Sequence, residues 1–179
     1  MRPCDIEATL RTMTVLVDTR EQPTERAIAR YKSMGREIRR VTLNYGDYAA
    51  DAVLPDGNHI YDVESVIHPI SAVIERKMSL DELAACFTTG RKRFVAEFER
   101  AKAHGCRVYL LVEGGSWEDV LHGMYKTKVS SKALLASITA FMVRYDAQII
   151  FCAAKTSGQM IAEVLYRDLK ERLERGDYG

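Results

Sequence analysis

The sequence predicts one α/β domain, a mixed β-sheet flanked by helices, and three features carry that prediction. Short β-branched runs lead the chain as a mostly antiparallel group of strands, and later strands alternate with helical stretches. Two capping boxes, Ser79 with Glu82 and Ser116 with Asp119, start helices just after strand-like runs. The length of 179 residues suits one domain with appendages. Residues 1–13 read as an N-terminal segment, 14–166 as the domain and 167–179 as a charged helical tail.

Each element has its own signal. Thr14 to Val17 reads as a buried strand ending at Asp18. After Pro23 a helical stretch runs from Thr24 to Met34 and stops at Gly35. Ile38 to Leu43 is the next strand. Tyr48 to Leu54 and His59 to Val66 flank Pro55-Asp56-Gly57-Asn58, a turn tetrapeptide of the kind that closes hairpins. Ser71 to Lys77 is another strand. The helix opened by Ser79 covers Leu80 to Phe87, and Gly90 separates it from a helix over Arg91 to Ala103, with Phe94, Phe98 and Ala101 on one face. Val108 to Val112 is a central strand, and Ser116 heads a short helix to His122. Lys132 to Tyr145 is helical, Gln148 to Cys152 is a strand, and Gly158 to Glu174 is a long final helix.

Composition removes several function classes. Hydrophobic residues at 47% and charged residues at 28% exclude a disordered or fibrous chain. Lys+Arg 26 against Asp+Glu 25 leaves +1, so nucleic acid is not bound through net charge alone. Cys4, Cys86, Cys106 and Cys152 lie far apart with no C-x-x-C pair, which suits reduced thiols and no zinc site. The longest apolar run, Val108 to Val112, is far short of the ~20 residues a membrane helix needs. Met1 to Met13 lacks an apolar signal core. The expectation is a soluble protein with no membrane partner, cytoplasmic in a bacterial or phage-infected cell, or nuclear in a eukaryote.

The distribution of charge says more than its total. Arg20 to Arg40 holds seven basic and three acidic residues, and Arg76 to Arg107 holds eight basic and four acidic. Between them, Val41 to Glu75 has six acidic residues and no Lys or Arg. A negative block flanked by positive ones suits a cation site set among phosphate-binding surfaces, or else separate solvated faces.

Glu75 and Lys77 lie on one face of a strand by alternation, with Ile74 and Arg76 on the other. An apolar run leads into the pair and a capped helix leads out, which puts it where a strand opens into a cleft. Hard cations such as Mg²⁺ need carboxylate oxygens in near-octahedral geometry. Asp18, at the end of the first strand, and Asp47, after the flexible Gly46, are placed to join Glu75, with Glu21 near Asp18.

Asp18-Thr19-Arg20-Glu21, Gly46-Asp47-Tyr48 and Glu75-Arg76-Lys77-(x)3-Asp81, in that order, resemble the nuclease domain of the XPF-type structure-specific endonucleases. The resemblance continues through Arg91, Arg93-Phe94 and Leu111-Val112-Glu113-Gly114, and covers roughly Val15 to Leu165. It implies a restriction-endonuclease-like core and hydrolysis of DNA phosphodiesters with Mg²⁺ or Mn²⁺. Carried over to this chain, Asp47 and Glu75 hold the metal, Asp18 is a further acid, and the Arg76 carbonyl completes the shell. Lys77 stabilises developing charge or orients water; beside two acids it stays charged and is a poor base.

Around this centre, Asp81 is expected to anchor Arg76 or Lys77. Arg20 and Glu21 serve as phosphate contact or internal ion pair, and Glu113 as a turn residue. Arg91, Arg93, Lys126, Lys128 and Lys132 are candidate contacts to the DNA backbone. His59, His68, His104 and His122 have no i, i+4 partner and read as non-catalytic.

Family members usually add tandem helix-hairpin-helix motifs, whereas only a charged helical tail follows Leu165. The interval from Asp47 to Glu75 is long and holds an acidic hairpin with Asp51, Asp62 and Glu64. A stand-alone domain of this length resembles phage or prophage versions. The resemblance further implies branched or flapped DNA as partner and a homodimer, to which the stripe Leu134, Leu135, Ile138, Phe141, Met142 contributes unless it is core. An accessory DNA-binding protein would supply any missing grip. The rival expectation is a non-catalytic DNA-binding scaffold or partner subunit.

Overall fold

The computed structural model describes residues 1–61 and 70–178. Its elements in chain order are α1 (Pro3–Arg11), β1 (Thr14–Asp18), α2 (Glu25–Ser33), β2 (Glu37–Val41), β3 (Tyr48–Asp51), β4 (Ala72–Lys77) and α3 (Leu80–Phe87). Then follow α4 (Arg91–Ala103), β5 (Arg107–Glu113), α5 (Trp117–His122), α6 (Ser131–Tyr145), β6 (Gln148–Cys152) and α7 (Ser157–Arg175). The six strands form one mixed sheet in the order β2-β1-β3-β4-β5-β6, the restriction-endonuclease-like arrangement of an α/β domain. No helix among the described residues is long and apolar enough to cross a membrane.

Local chemistry explains the helix starts. Ser79 Oγ accepts from the Glu82 N–H at 3.2 Å, and Glu82 Oε2 reaches back to the Met78 N–H at 2.7 Å. Thr24 caps α2 through the Ala27 N–H, Ser116 caps α5 through Asp119, and Ser130 caps α6 through Ala133. Each satisfies an N–H that the first turn leaves without an intrahelical partner.

Alternation along the strands divides the core in two. Leu16, Ala49, Val73, Leu110 and Val112 face α3, α4 and α6, whose Leu83, Phe94, Phe98 and Phe141 fill that layer. Val15, Val17, Tyr48, Ile74 and Leu111 face the opposite way, against α7 residues Ile161, Leu165, Leu169 and Leu173. Phe94, Phe98 and Phe141 meet at centroid separations of 4.9 to 5.3 Å.

The first four strands are a mostly antiparallel group, as expected: β3 pairs antiparallel with both β1 and β4, and the one exception is the parallel pairing of β1 with β2. The intervening helix α2 is the cause, because a helical crossover returns the chain in the same direction. Residues 1–13 hold a helix. The segment expected as a tail is the second half of α7, and Leu169 and Leu173 are buried there. Of the strand expected from His59 to Val66, His59 makes one bridge to Val53, and residues 62–66, with Asp62 and Glu64, lie outside the described residues, as does His68. On α6, Leu134, Ile138 and Phe141 are core, so the stripe is spent inside the domain.

Candidate metal centre

Gly46 makes the centre possible. It takes φ +71°, and a Cβ there would lie 2.6 Å from Val73 Cβ, so only glycine lets this loop cross β4 so closely. The crossing is held by the Asp47 N–H donating to Ile74 O at 2.8 Å and the Asp18 N–H donating to Asp47 O at 2.9 Å. The Arg76 N–H donates to Asp47 Oδ2 at 2.8 Å, fixing the carboxylate over β4. Glu97 of α4 supports the loop by accepting from the Gly46 N–H at 3.0 Å.

Glu75 and Lys77 point to this side of β4, as alternation requires. They are 4% and 8% exposed and form an ion pair through Glu75 Oε1. Lys77 Nζ also lies 5.5 Å from the Phe94 ring centroid. The second carboxylate oxygen, Glu75 Oε2, is buried and has no hydrogen-bond partner. A dehydrated carboxylate oxygen left open in this way costs free energy unless a cation meets it.

The charges confirm the imbalance. Dehydration, only partly offset by Lys77, pushes the Asp47 carboxyl up to about 6, and Glu97 adds to the shift. Dehydration followed by the neighbouring Asp47 charge raises Glu75 well above the usual carboxylate range. For Lys77, burial works against the charge, but the Glu75 and Asp47 carboxylates outweigh it and the ammonium is strengthened. Two acids that ionise reluctantly and converge beside an open oxygen fit a hard divalent cation, with water or phosphate oxygens filling its remaining positions. Among the described residues no group of three or more His, Cys, Asp or Glu is arranged to hold a metal ion.

Asp18, the further acid expected at the centre, has both carboxylate oxygens engaged in hydrogen bonds. Its Oδ1 accepts from the Arg20 N–H at 2.8 Å and Nε at 2.6 Å, and its Oδ2 from Arg20 Nη2 at 3.0 Å and the Leu43 N–H at 2.7 Å. Burial opposes its charge, but these bonds, the Arg20 guanidinium first, hold its carboxyl below the ordinary value. Both oxygens are occupied, which leaves Asp18 positioning the Asp47 loop through its backbone.

Glu21 is an internal partner. Behind β4, Glu21 Oε1 accepts from Arg30 Nη2 at 2.6 Å, Tyr48 Oη at 3.0 Å and Arg76 Nη2 at 3.1 Å. Glu113, expected at a turn, is buried at the end of β5 and pairs with Arg30 and Arg76, both at 3.3 Å. Asp81 does not anchor Arg76 or Lys77. Its Oδ1 accepts from the Lys126 and Thr127 N–H groups at 2.7 and 2.9 Å, tying that loop to the start of α3. Lys126, Lys128, Arg91 and Arg93 are exposed. Asp51 lies at the far end of β1, bonded to Arg39 and His59.

Glu97 and Arg30 were not foreseen, although each breaks an apolar helix stripe. Glu97 sits between the buried Phe94 and Phe98 in the i, i+3, i+4 series, and Arg30 between Ala27 and Met34. A charged residue at such a position signals a buried polar partner.

The mixed six-stranded sheet flanked by helices is a restriction-endonuclease-like fold. Residues 17–164 match the model of the ERCC4 domain, and the chain belongs to that family. Among solved structures it is similar to XPF from Aeropyrum pernix, with TM-score 0.60 and 22% identity over 88% of this chain and 68% of that one. It is also similar to XPF from Aeropyrum pernix in complex with DNA, with TM-score 0.57 and 24% identity over 88% of this chain and 65% of that one. The chain thus spans about two thirds of the length of these structures. No curated protein gives a significant match.

Proposed function

We propose that the protein is a divalent-metal-dependent DNA endonuclease acting on branched, forked or flapped DNA. One observation carries the reading: Glu75 Oε2 is buried and unpartnered beside Asp47, where a single lysine faces two carboxylates. Membership of the ERCC4 family and the DNA complex of XPF from Aeropyrum pernix support DNA as the substrate.

Asp47 and Glu75 would hold Mg²⁺ or Mn²⁺, which accept the same oxygen donors. When bound, such an ion polarises a phosphodiester and lowers the pKa of a water molecule. Lys77, kept charged by its two acidic neighbours, offers its ammonium to the phosphate oxygen that gains negative charge. It holds its proton and is not the base. Arg76 acts through its backbone, orienting Asp47 Oδ2, while Asp18 and Glu97 brace the loop. Arg91 and Arg93 at the start of α4, with Lys126 and Lys128 on the loop held by Asp81, supply phosphate contacts. The working unit in this reading is a homodimer.

The test is cleavage of labelled duplex, single strand, 3′ flap, fork and four-way junction with Mg²⁺, Mn²⁺ or EDTA. Metal-dependent cuts near a branch, lost in Asp47→Asn, are expected. Tight binding without any metal-dependent cut would move the reading to a scaffold.

A further inference from the structure

The end of the sheet that carries the acids has a second concavity on its reverse face. A cleft of about 500 Å³ lies between α2 and the turn joining β6 to α7, lined by Arg26, Ala29, Arg30, Glu113, Ala154 and Lys155. Arg26, Ala29 and Arg30 recur at helical spacing on one face of α2, and the small side chains of Ala29 and Ala154 leave the space open. The inner end is closed by a tight seat. A Cβ on Gly158 would lie 2.1 Å from Ser33 Oγ and 2.3 Å from Arg30 O, so α7 meets α2 there backbone to backbone.

The lining is positive in effect. Glu113 is neutralised by Arg30 and Arg76, both at 3.3 Å. Arg26 and Lys155 are exposed at the mouth with no ion pair among the described residues. The volume falls within the roughly 300–1,000 Å³ of small-molecule sites and would admit a nucleotide unit. Location adds to the case. Val112 pairs with Lys77 across β5 and β4, so Glu113 and the cleft sit at the same strand ends as the metal acids. Alternation along the strands puts Glu75 and Glu113 on opposite faces of the same sheet.

We propose that this cleft is a phosphate-binding site that holds a nucleic-acid strand on the reverse side of that end of the sheet. The strand as ligand rests on the endonuclease reading; free phosphate or a nucleotide offers Arg26 and Lys155 the same oxyanion. The first measurement titrates inorganic phosphate, then a thymidine dinucleotide, into the full chain and follows backbone amide resonances. Saturable shifts at Ala29, Ala154 and Lys155, weakened roughly tenfold or more in the Arg26→Ala, Lys155→Ala double variant, are expected. No shift at these positions overturns the site, whatever the cleavage assay gives.

The second measurement follows binding of a forked DNA in EDTA across salt concentration. The double variant should lower the slope of log K against log salt by about 1.4–1.8, the value for two lost phosphate contacts. Arg167→Ala with Lys170→Ala, on the outer part of α7, is the control and should leave it unchanged. Phosphate shifts with an unchanged DNA slope would assign the cleft to free phosphate or a nucleotide and overturn the strand. Phosphate shifts in a protein that neither binds nor cuts DNA would overturn the endonuclease reading and the strand together, leaving the anion site.

Discussion

Asp47 carries a charge that the fold resists, and pH exposes this. Its carboxyl is raised to about 6 in the folded chain, above its unfolded value near 3.9. The native state therefore holds the extra proton, and stability is lost as pH rises from about 4 through 6. Asp47→Asn removes that loss and still offers an amide oxygen to the Arg76 N–H. In metal-free buffer at pH 8 the variant should gain on the order of 1–2 kcal/mol, or about 2–8 °C in Tm. The gain should vanish at pH 4, while metal-dependent cleavage stays lost at every pH. Gly46→Ala should act oppositely: positive φ and contact with Val73 Cβ should destabilise the chain by about 2–4 kcal/mol, read by thermal melting. At this scale Asp47, Glu75 and Lys77 are legible in the sequence, because strand alternation and a local motif place them. The occupied state of Asp18 is not, since one of its partners, Leu43, comes from 25 residues away.

At the level of elements, α2 reaches the ion network behind β4 through one arginine. Arg30 is 6% exposed and joins Glu21, Tyr48 and Glu113, which with Arg76 form a buried network behind β4. Arg30→Met would leave two acids to share Arg76 alone, a change of about 3–5 kcal/mol for a buried pair broken on one side. Melting should drop by roughly 6–20 °C, and a smaller loss in the Arg30→Met, Glu21→Gln double variant would show that the stranded carboxylate is the cause. Helices α3 and α4 can be read from sequence to the residue, because Ser79 and Gly90 mark their starts chemically. The β1–β2 pairing cannot, because strand direction depends on how a helix crosses over and not on the strand's own residues.

For the whole molecule, the two faces of one sheet divide the labour: acids on one, ion network and cleft on the other. A cation held by Asp47 and Glu75 binds the native state alone and should stabilise it. At ten times its Kd the gain is about 1.4 kcal/mol, or roughly 3–5 °C by differential scanning calorimetry. Asp47→Asn and Glu75→Gln should each abolish the shift, a result independent of any DNA. The fold class is legible because alternation of strand and helix needs only local periodicity. The two-sided site emerges only when Arg76, on the opposite face from Lys77, is seen holding Asp47 through its main chain.

The covering role of α7 also sets a timetable for biosynthesis. Tyr48, Ile74 and Leu111 receive their lid from Ile161, Leu165, Leu169 and Leu173, all of which leave the ribosome after every strand has been made. At about 5–20 residues per second, the nascent sheet waits about 1–4 s with one apolar face bare, a window in which chaperone holding matters. A ribosome-stalled chain ending at Cys152 should be cut throughout by a limiting protease, and one carrying α7 beyond the exit tunnel should resist it.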